Sequence, residues 1–265
     1  MLISSPQNPR IKALKKLDKA AERREQGVFP IEGMRELCLA DGAGYEITQL
    51  YICDELLKET EEYNLGNCKL TGTEVFQITA EVYESVAYRG TTEGVIALAR
   101  PRPHTLADLR LKDKPLILVI EGVEKPGNLG AMLRTCDAAG VDAVIVCDTK
   151  TDVYNPNAVR SSVGTVFTNQ IAIASSEEVI AFLTDRSITS YAAELTATEA
   201  HYQKDFTSAT AIVVGDEATG LSPLWMQAAS QHIKIPMLGQ IDSLNVSVSA
   251  AVLLYEALRQ RQSAK

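Results

Sequence analysis

The chain has 265 residues, of which 46% are hydrophobic and 23% charged, and its formal net charge is −8. This composition is typical of a globular protein with enough apolar residues for two domains, and it excludes disordered, fibrous and membrane-spanning chains. The five cysteines are scattered without a C-x-x-C pair, so we expect neither a disulfide framework nor a metal site, and we predict a reducing, cytoplasmic location.

The N-terminal segment is basic although the whole chain is acidic. Residues 1–24 carry seven Lys and Arg against two Asp and Glu, a formal balance of +5, and they do not resemble a signal peptide. Lys and Arg bind the phosphates of nucleic acids, which makes Arg10, Lys12 and Lys15 candidate contacts. The alternative is a solvated helix face that only aids solubility.

The first part of the chain is predicted to be a small α+β domain. Residues 8–26 have the spacing of one amphipathic helix, closed by Gly27, with an apolar face of Ile11, Leu14, Leu17 and Ala21. Strands are predicted at 28–32, 47–53 and 94–100, and helical stretches at 34–40 and 54–63. Residues 101–115 contain three prolines and little apolar pattern, which indicates a linker. The predicted domains are therefore 1–100 and 116–265.

Beyond the linker, apolar strands alternate with helical stretches. Six strands are predicted, at 116–120, 143–147, 170–174, 187–193, 211–214 and 232–236. This alternation favours a mainly parallel sheet covered on both faces, and ligands of such sheets bind in the loops after the carboxyl ends of the strands. Three of those loops have unusual sequences, at 124–135, 215–223 and 235–261.

The first of these loops matches neither common nucleotide-binding turn. Gly122 and Gly127 have the glycine spacing of a P-loop, but Asn128 and Leu129 stand where that motif requires Lys and then Ser or Thr. A dinucleotide site requires G-x-G-x-x-G, which is missing, although Asp148 falls about where an acid would meet a ribose. A nicotinamide-dependent dehydrogenase is therefore disfavoured.

The three loops, in this order at the C-terminal end, resemble the three signature motifs of the SpoU (TrmH-like) RNA ribose methyltransferases of the SPOUT superfamily. The stretches "SPQNPRIKAL", "FPIEGMREL" and "TTEGVIALARP" are similar to the substrate-binding domain that many members carry. The resemblance implies an α/β, trefoil-knotted C-terminal methyltransferase domain and a smaller α+β, ribosomal-protein-like RNA-binding domain. It also implies a homodimer that transfers a methyl group from S-adenosylmethionine to a ribose 2′-hydroxyl without a metal.

The resemblance assigns roles to individual residues. Its catalytic positions are Asn128, Arg134, Glu217, Ser243 and Asn245. The cofactor would lie against Val214, Gly215, Glu217, Gly220, Ile235, Met237, Ser243 and Leu244. Arg160 and Ser162, within "YNPNAVRSSVGTVF", would meet RNA phosphate in addition to Arg10, Lys12 and Lys15.

Several of these residues have structural alternatives. A guanidinium stays protonated, so we expect Arg134 to hold the hydroxyl in line and stabilise its developing charge rather than act as the base. Asn128 and Ser243 could be helix N-caps, and Ser222 before Pro223 is expected to be a purely structural helix start. Ile235 and Leu244 could be core residues, and the glycines at 215, 220 and 239 could be plain turn residues.

The predicted function is methylation of an RNA ribose, with ribosomal RNA as the expected substrate. A transfer RNA substrate and a role in resistance to a ribosome-directed antibiotic are alternatives, because related sequences have each of these three functions. The alternative from another class is a non-catalytic RNA-binding dimer, against which the intact motif residues argue. Lys125 and Glu93 depart from the usual acid and glutamine of the family, which leaves the details of RNA contact open.

Overall fold

The structure is a computed structural model that describes residues 2–88, 93–216 and 218–263. The chain divides into two compact units. The first comprises Met1–Pro103 together with Asp152–Thr168, and the second comprises His104–Thr151 and Asn169–Lys265. No helix among the described residues is long and apolar enough to cross a membrane.

The first unit contains a five-stranded mixed sheet flanked by short helices. Its strands, β1 to β5, are Leu2–Ile3, Phe29–Glu32, Ile47–Ile52, Glu74–Ile78 and Val95–Ala99, in the order β1-β4-β3-β5-β2. Strands β1, β4 and β3 run parallel, whereas β5 is antiparallel to both of its neighbours. The helices are α1 (Pro9–Lys16), α2 (Ala20–Gln26), α3 (Met34–Gly42), α4 (Ala80–Val86) and, from the later segment, α6 (Pro156–Ser161).

The single helix predicted over residues 8–26 is wrong, because α1 and α2 are separate. Arg23, which is only 4% exposed, donates from Nη1 to the carbonyls of Leu17 and Asp18 at 2.6 and 3.0 Å. These bonds satisfy carbonyl groups at the end of α1 and stabilise the break. The break also changes the helical register, so Ala21 is exposed rather than on the apolar face.

The helix predicted over residues 54–63 is also wrong, since this stretch forms turns. Glu55 and Glu59 would be like charges at i,i+4 spacing, which destabilises a helix. Further acids at 54, 61 and 62 leave only two leucines to form an apolar face. Strand β4 and helix α4, which the sequence patterns did not predict, complete the unit instead.

Residues 152–168 pack with the first unit, although the sequence analysis places them in the C-terminal domain. The ring of Tyr154 stacks on Phe29 with centroids 4.0 Å apart, and its hydroxyl lies 3.2 Å from that of Tyr45. Asp152 accepts a hydrogen bond from Nε of Arg23 at 2.9 Å. Aromatic burial and a partly buried ion pair therefore hold the segment to the first unit.

The second unit contains a six-stranded sheet, predicted to be mainly parallel and found to be entirely so. Its strands, β6 to β11, are Leu116–Glu121, Ala143–Cys147, Ile171–Ala174, Thr189–Ala193, Thr210–Val214 and Gln231–Ile233, in the order β11-β9-β10-β6-β7-β8. All six correspond to strands predicted from the sequence. Because the register pairs Val214 of β10 with Ile120 of β6, the loops that follow these strands leave the same edge of the sheet.

Helices cover the parallel sheet. They are α5 (Pro126–Ala139), α7 (Ser176–Asp185), α8 (Pro223–Ala228) and α9 (Val246–Ser263). Val179 and Phe182 of α7 and Trp225 of α8 share a core with Ile117 and Val119 of β6. Helix α9 contacts β6 and β10 and packs against α5. The long C-terminal helix thus lies beside the helix that follows the first motif.

Candidate functional site

A cavity of about 490 Å³ lies in the second unit, at the carboxyl ends of β9 and β10. The loop after β10, residues 215–222, forms one wall, and the loop between β11 and α9, residues 234–245, forms another. We call these the second and third loops. The volume falls within the roughly 300–1,000 Å³ range of small-molecule sites. The wall includes Val214, Gly215, Gly220, Ile235, Met237, Ser243 and Leu244, all predicted cofactor positions.

Glu217, the remaining predicted cofactor position and a predicted catalytic residue, lies outside the described residues. Its neighbours on both sides, Asp216 and Ala218, line the cavity.

The second loop is folded tightly back on itself. The backbone N–H of Asp216 donates to the carbonyl of Gly220 at 3.1 Å, and the N–H of Gly220 donates to the carbonyl of Asp216 at 3.0 Å. A Cβ on Gly215 would lie 2.3 Å from the carbonyl carbon of Gly220, so only glycine fits there. Gly220 adopts a left-handed φ of +69°, which also favours glycine. Gly239 has open space around it, so no contact with the described residues requires a glycine there.

Asp216, which the sequence analysis did not single out, holds the second loop in shape. Its Oδ1 accepts hydrogen bonds from the backbone N–H groups of Ala218 and Thr219 at 2.8 and 3.0 Å, and from the Thr219 hydroxyl at 3.2 Å. These bonds, that from Ala218 foremost, lower the pKa of the Asp216 carboxyl below its usual value. The sequence feature that could have indicated it is a carboxylate two residues after a buried apolar strand.

Glu121, also missed, anchors the end of the second loop to β6. Its buried carboxylate accepts the backbone N–H of Ser222 at 2.7 Å and the hydroxyl of Ser176 at 3.1 Å. The Ser176 oxygen in turn accepts Nε1–H of Trp225 at 2.9 Å. Ser222 is the N-cap of α8, which confirms the structural role expected for it. The signal for Glu121 was a charge at the end of the apolar run "LILVI".

The third loop meets the first motif through two asparagines. Nδ2 of Asn245 donates to Oδ1 of Asn128 at 3.3 Å. Asn245 also caps the start of α9, because its Oδ1 accepts the backbone N–H of Ser247 at 3.0 Å. This pair of side chains therefore joins the start of α5 to the start of α9.

Neither helix-cap alternative is correct. Lys125 is the N-cap of α5, which places Asn128 inside the helix, and α9 begins at Val246, beyond Ser243. Ser243 instead lines the cavity, with its hydroxyl 3.3 Å from Oδ1 of Asp242.

Arg134 lies on α5 with its side chain exposed. It does not line the cavity, and it makes no hydrogen bond or ion pair with another residue that the structure describes. The structure therefore brings the described cofactor positions together and leaves the guanidinium of Arg134 in solvent.

The predicted RNA contacts differ in accessibility. Arg10, Lys12 and Lys15 are exposed, and the Arg10 guanidinium lies over the ring of Phe76 at 4.5 Å. Ser162 is fully buried and donates its hydroxyl to the carbonyl of Val159 at 2.7 Å, so its predicted contact with RNA is wrong for this structure.

Arg160, the other RNA contact predicted in this segment, is half-buried within the first unit. Its Nη1 atom is enclosed by protein, so only part of the guanidinium could reach a phosphate. Residue type alone could not distinguish these two side chains from the accessible cations of α1.

Comparison with known proteins gives matches over both parts of the chain. Residues 115–255 match the profile of the SpoU rRNA Methylase family, and residues 8–97 match that of the MRM3-like substrate binding domain. The 23S rRNA (guanosine(2553)-2′-O)-methyltransferase RlmP of Bacillus subtilis (strain 168) is 28% identical over 96% of this chain and 97% of its own length.

Two solved structures are similar over nearly the whole chain. An RNA 2′-O ribose methyltransferase is 40% identical, with a TM-score of 0.86 over 99% of this chain and all (100%) of that one. An AdoMet-bound rRNA methyltransferase from Sinorhizobium meliloti is 26% identical, with a TM-score of 0.88 over 98% of this chain and 97% of that one.

Replacing Gly215 by alanine is expected to weaken binding of S-adenosylmethionine by about tenfold or more, because the added Cβ forces the second loop open. Gly42→Ala is the matched control, since nothing in the described part of the chain lies near that glycine and it is outside the second and third loops. Isothermal titration calorimetry on the two variants and the wild type measures the difference. Unchanged affinity in Gly215→Ala would contradict the assignment of this loop to the cofactor.

Proposed function

The chain belongs to the SpoU rRNA methylase family and is an S-adenosylmethionine-dependent RNA 2′-O-methyltransferase, and we propose that its substrate is 23S ribosomal RNA. The observation that carries this proposal is the match along the full length to an enzyme named for a 23S rRNA target, including the substrate-binding segment. We propose that the first unit selects the RNA and the second unit carries the chemistry, in the cytoplasm.

We propose that the second and third loops hold the cofactor, which supplies an electrophilic methyl group when bound. The volume of the cavity and the close backbone approach at Gly215 suit a ligand cradled by main-chain groups. Ile235, Met237 and Leu244 provide apolar wall for an adenine ring. Glu217 belongs to the same loop and is proposed to act there as well.

On the RNA side, we propose that Arg134 positions the reacting hydroxyl. Its guanidinium stays protonated and can donate to a phosphate oxygen and to the ribose oxygen together. Such donors hold the hydroxyl in line and stabilise the negative charge that develops on it. The hydrogen bond between Asn128 and Asn245 keeps α5, which carries Arg134, next to the start of α9.

A non-catalytic RNA-binding protein that keeps the fold is disfavoured. The second loop retains its glycine contact at Gly215, and the carboxylate of Asp216 still organises it. A loop shaped in this way beside a cavity of ligand size is not needed by a protein that only binds RNA.

The substrate proposal predicts that 23S rRNA from cells lacking this protein loses one ribose methylation and that transfer RNA is unchanged. Mapping of 2′-O-methyl groups in total RNA from cells with and without the gene is the measurement. Adding back the wild-type gene restores the methyl group, whereas the Gly215→Ala gene restores it poorly. A loss confined to transfer RNA would refute the proposed substrate.

Arg134→Lys is expected to lower single-turnover methylation by about 10²- to 10³-fold, nearly as much as Arg134→Ala, because an ammonium cannot reproduce the planar fork. Affinity for S-adenosylmethionine should barely change. Arg110→Lys, an exposed arginine of the same unit, is the control. Near-normal turnover in Arg134→Lys would contradict the proposal that the guanidinium bonds to two oxygens at once. Loss of cofactor binding in either variant would show that Arg134 contacts the cofactor rather than the RNA.

We also propose that the protein is a homodimer. Apolar side chains are exposed on the third loop, where Leu238 is 98% and Ile241 66% exposed, and on α9, at Val248 and Tyr255. Val248 and Tyr255 are seven residues apart and so share one helix face. An exposed apolar surface of this kind is commonly covered by another protein, and we propose that a second copy covers it.

If α9 forms the dimer interface, Tyr255→Lys shifts the protein to monomers, because an ammonium would be buried in an apolar contact. Tyr88→Lys is the control, since Tyr88 is an exposed tyrosine of the first unit, outside α9. Sedimentation velocity over a range of concentrations measures both. A dimer that persists in Tyr255→Lys would refute this interface, and a monomeric wild type would refute the dimer.

A further inference from the structure

Three acidic residues contribute to the wall of the cavity, and no Lys, Arg or His among the described residues does. The acids are Glu194, Asp216 and Asp242. Lys150 lies 3.9 Å from Asp216, but it also pairs with Glu124 at 2.6 Å. The cavity is therefore a region of negative potential.

Glu194 differs from the other two acids because it does not shape either loop. It follows β9 directly, and its side chain is only 13% exposed. One carboxylate oxygen accepts the backbone N–H of Thr196 at 3.2 Å and also the Thr196 hydroxyl, and the other lies 3.4 Å from Nδ1 of His232. These contacts fix a carboxylate at the cavity wall, where it is poorly screened by water.

The two forms of the cofactor differ in charge. Methyl transfer breaks the bond between the methyl carbon and sulfur, and the electron pair stays on sulfur. The ribose oxygen gains the methyl group and releases its proton to water. The sulfonium cation thereby becomes a neutral thioether. A fixed carboxylate near the sulfur atom attracts the sulfonium of S-adenosylmethionine, and it has no comparable attraction for the thioether of S-adenosylhomocysteine.

We propose that Glu194 makes the cavity selective for the charge of the cofactor, so that S-adenosylmethionine binds more tightly than S-adenosylhomocysteine. Transfer of the methyl group then weakens the hold on the product and assists its release, a step that limits the turnover of many enzymes. This inference rests on the proposed site for the cofactor. Glu194 is a specificity-determining residue in this account and takes no part in the bond changes.

Calorimetric titration of the wild type and Glu194→Gln with each ligand tests the inference. The wild type should bind S-adenosylmethionine about tenfold more tightly than S-adenosylhomocysteine. In Glu194→Gln the two affinities should differ by about twofold at most, chiefly because S-adenosylmethionine binds more weakly. Glu199→Gln, which removes an exposed carboxylate that does not line the cavity, should leave the ratio unchanged.

Sinefungin, in which a protonated amine replaces the sulfonium methyl group, provides a second measurement on the wild type alone. It should bind more tightly than S-adenosylhomocysteine, even if Glu194→Gln does not fold. The proposed charge selection would be overturned if Glu194→Gln left the ratio of the two affinities unchanged, or if sinefungin bound no more tightly than S-adenosylhomocysteine. Either result would leave the proposed cofactor site intact. Failure of all three ligands to bind the wild type would overturn the proposed site itself.

Discussion

The close approach of the Gly215 backbone to that of Gly220 is the contact on which the site depends. It lets the chain leave β10 and fold back at once, so that the main chain itself forms a wall of the cavity. Asp216 stabilises the fold-back from within through three hydrogen bonds, and Glu121 fixes its far end to β6. A cavity built from backbone groups held this way needs little rearrangement to receive a ligand.

The parts of the site are joined by a small number of polar contacts. The third loop runs into α9, and Asn245 at that junction bonds to Asn128 on α5, the helix that presents Arg134 to solvent. The wall proposed for the cofactor and the side chain proposed for the RNA therefore belong to adjacent elements. Acidic groups line the cavity, whereas exposed cations lie on α1 of the other unit, so the charges suit a cationic cofactor and a polyanionic substrate respectively.

Local patterns in the sequence predicted the apolar strands, and they failed at the break between α1 and α2, where a distant partner also contributes, and over residues 54–63, where local charges oppose a helix. All six strands of the parallel sheet were predicted, because most of them are short apolar runs, and β6, β7 and β10 are buried along their whole length. The break between α1 and α2 was missed, since Arg23 bonds to the carbonyls of Leu17 and Asp18 and is itself held by Asp152, 129 residues away. Motif resemblance located the cavity wall but not Asp216, Glu121 or Glu194, whose roles follow from contacts that no motif records. It also placed Ser162 on the RNA, although that hydroxyl is satisfied inside its own segment.

The most direct test of the account is a crystal structure of the protein with S-adenosylmethionine bound. The account predicts ligand density between the second and third loops, with main-chain contacts from residues 214–221 and apolar contacts from Ile235, Met237 and Leu244. It also predicts that the fold-back at Gly215 and Gly220 is unchanged on binding. Density at any other edge of the sheet, or a second loop that must unfold to admit the ligand, would contradict it.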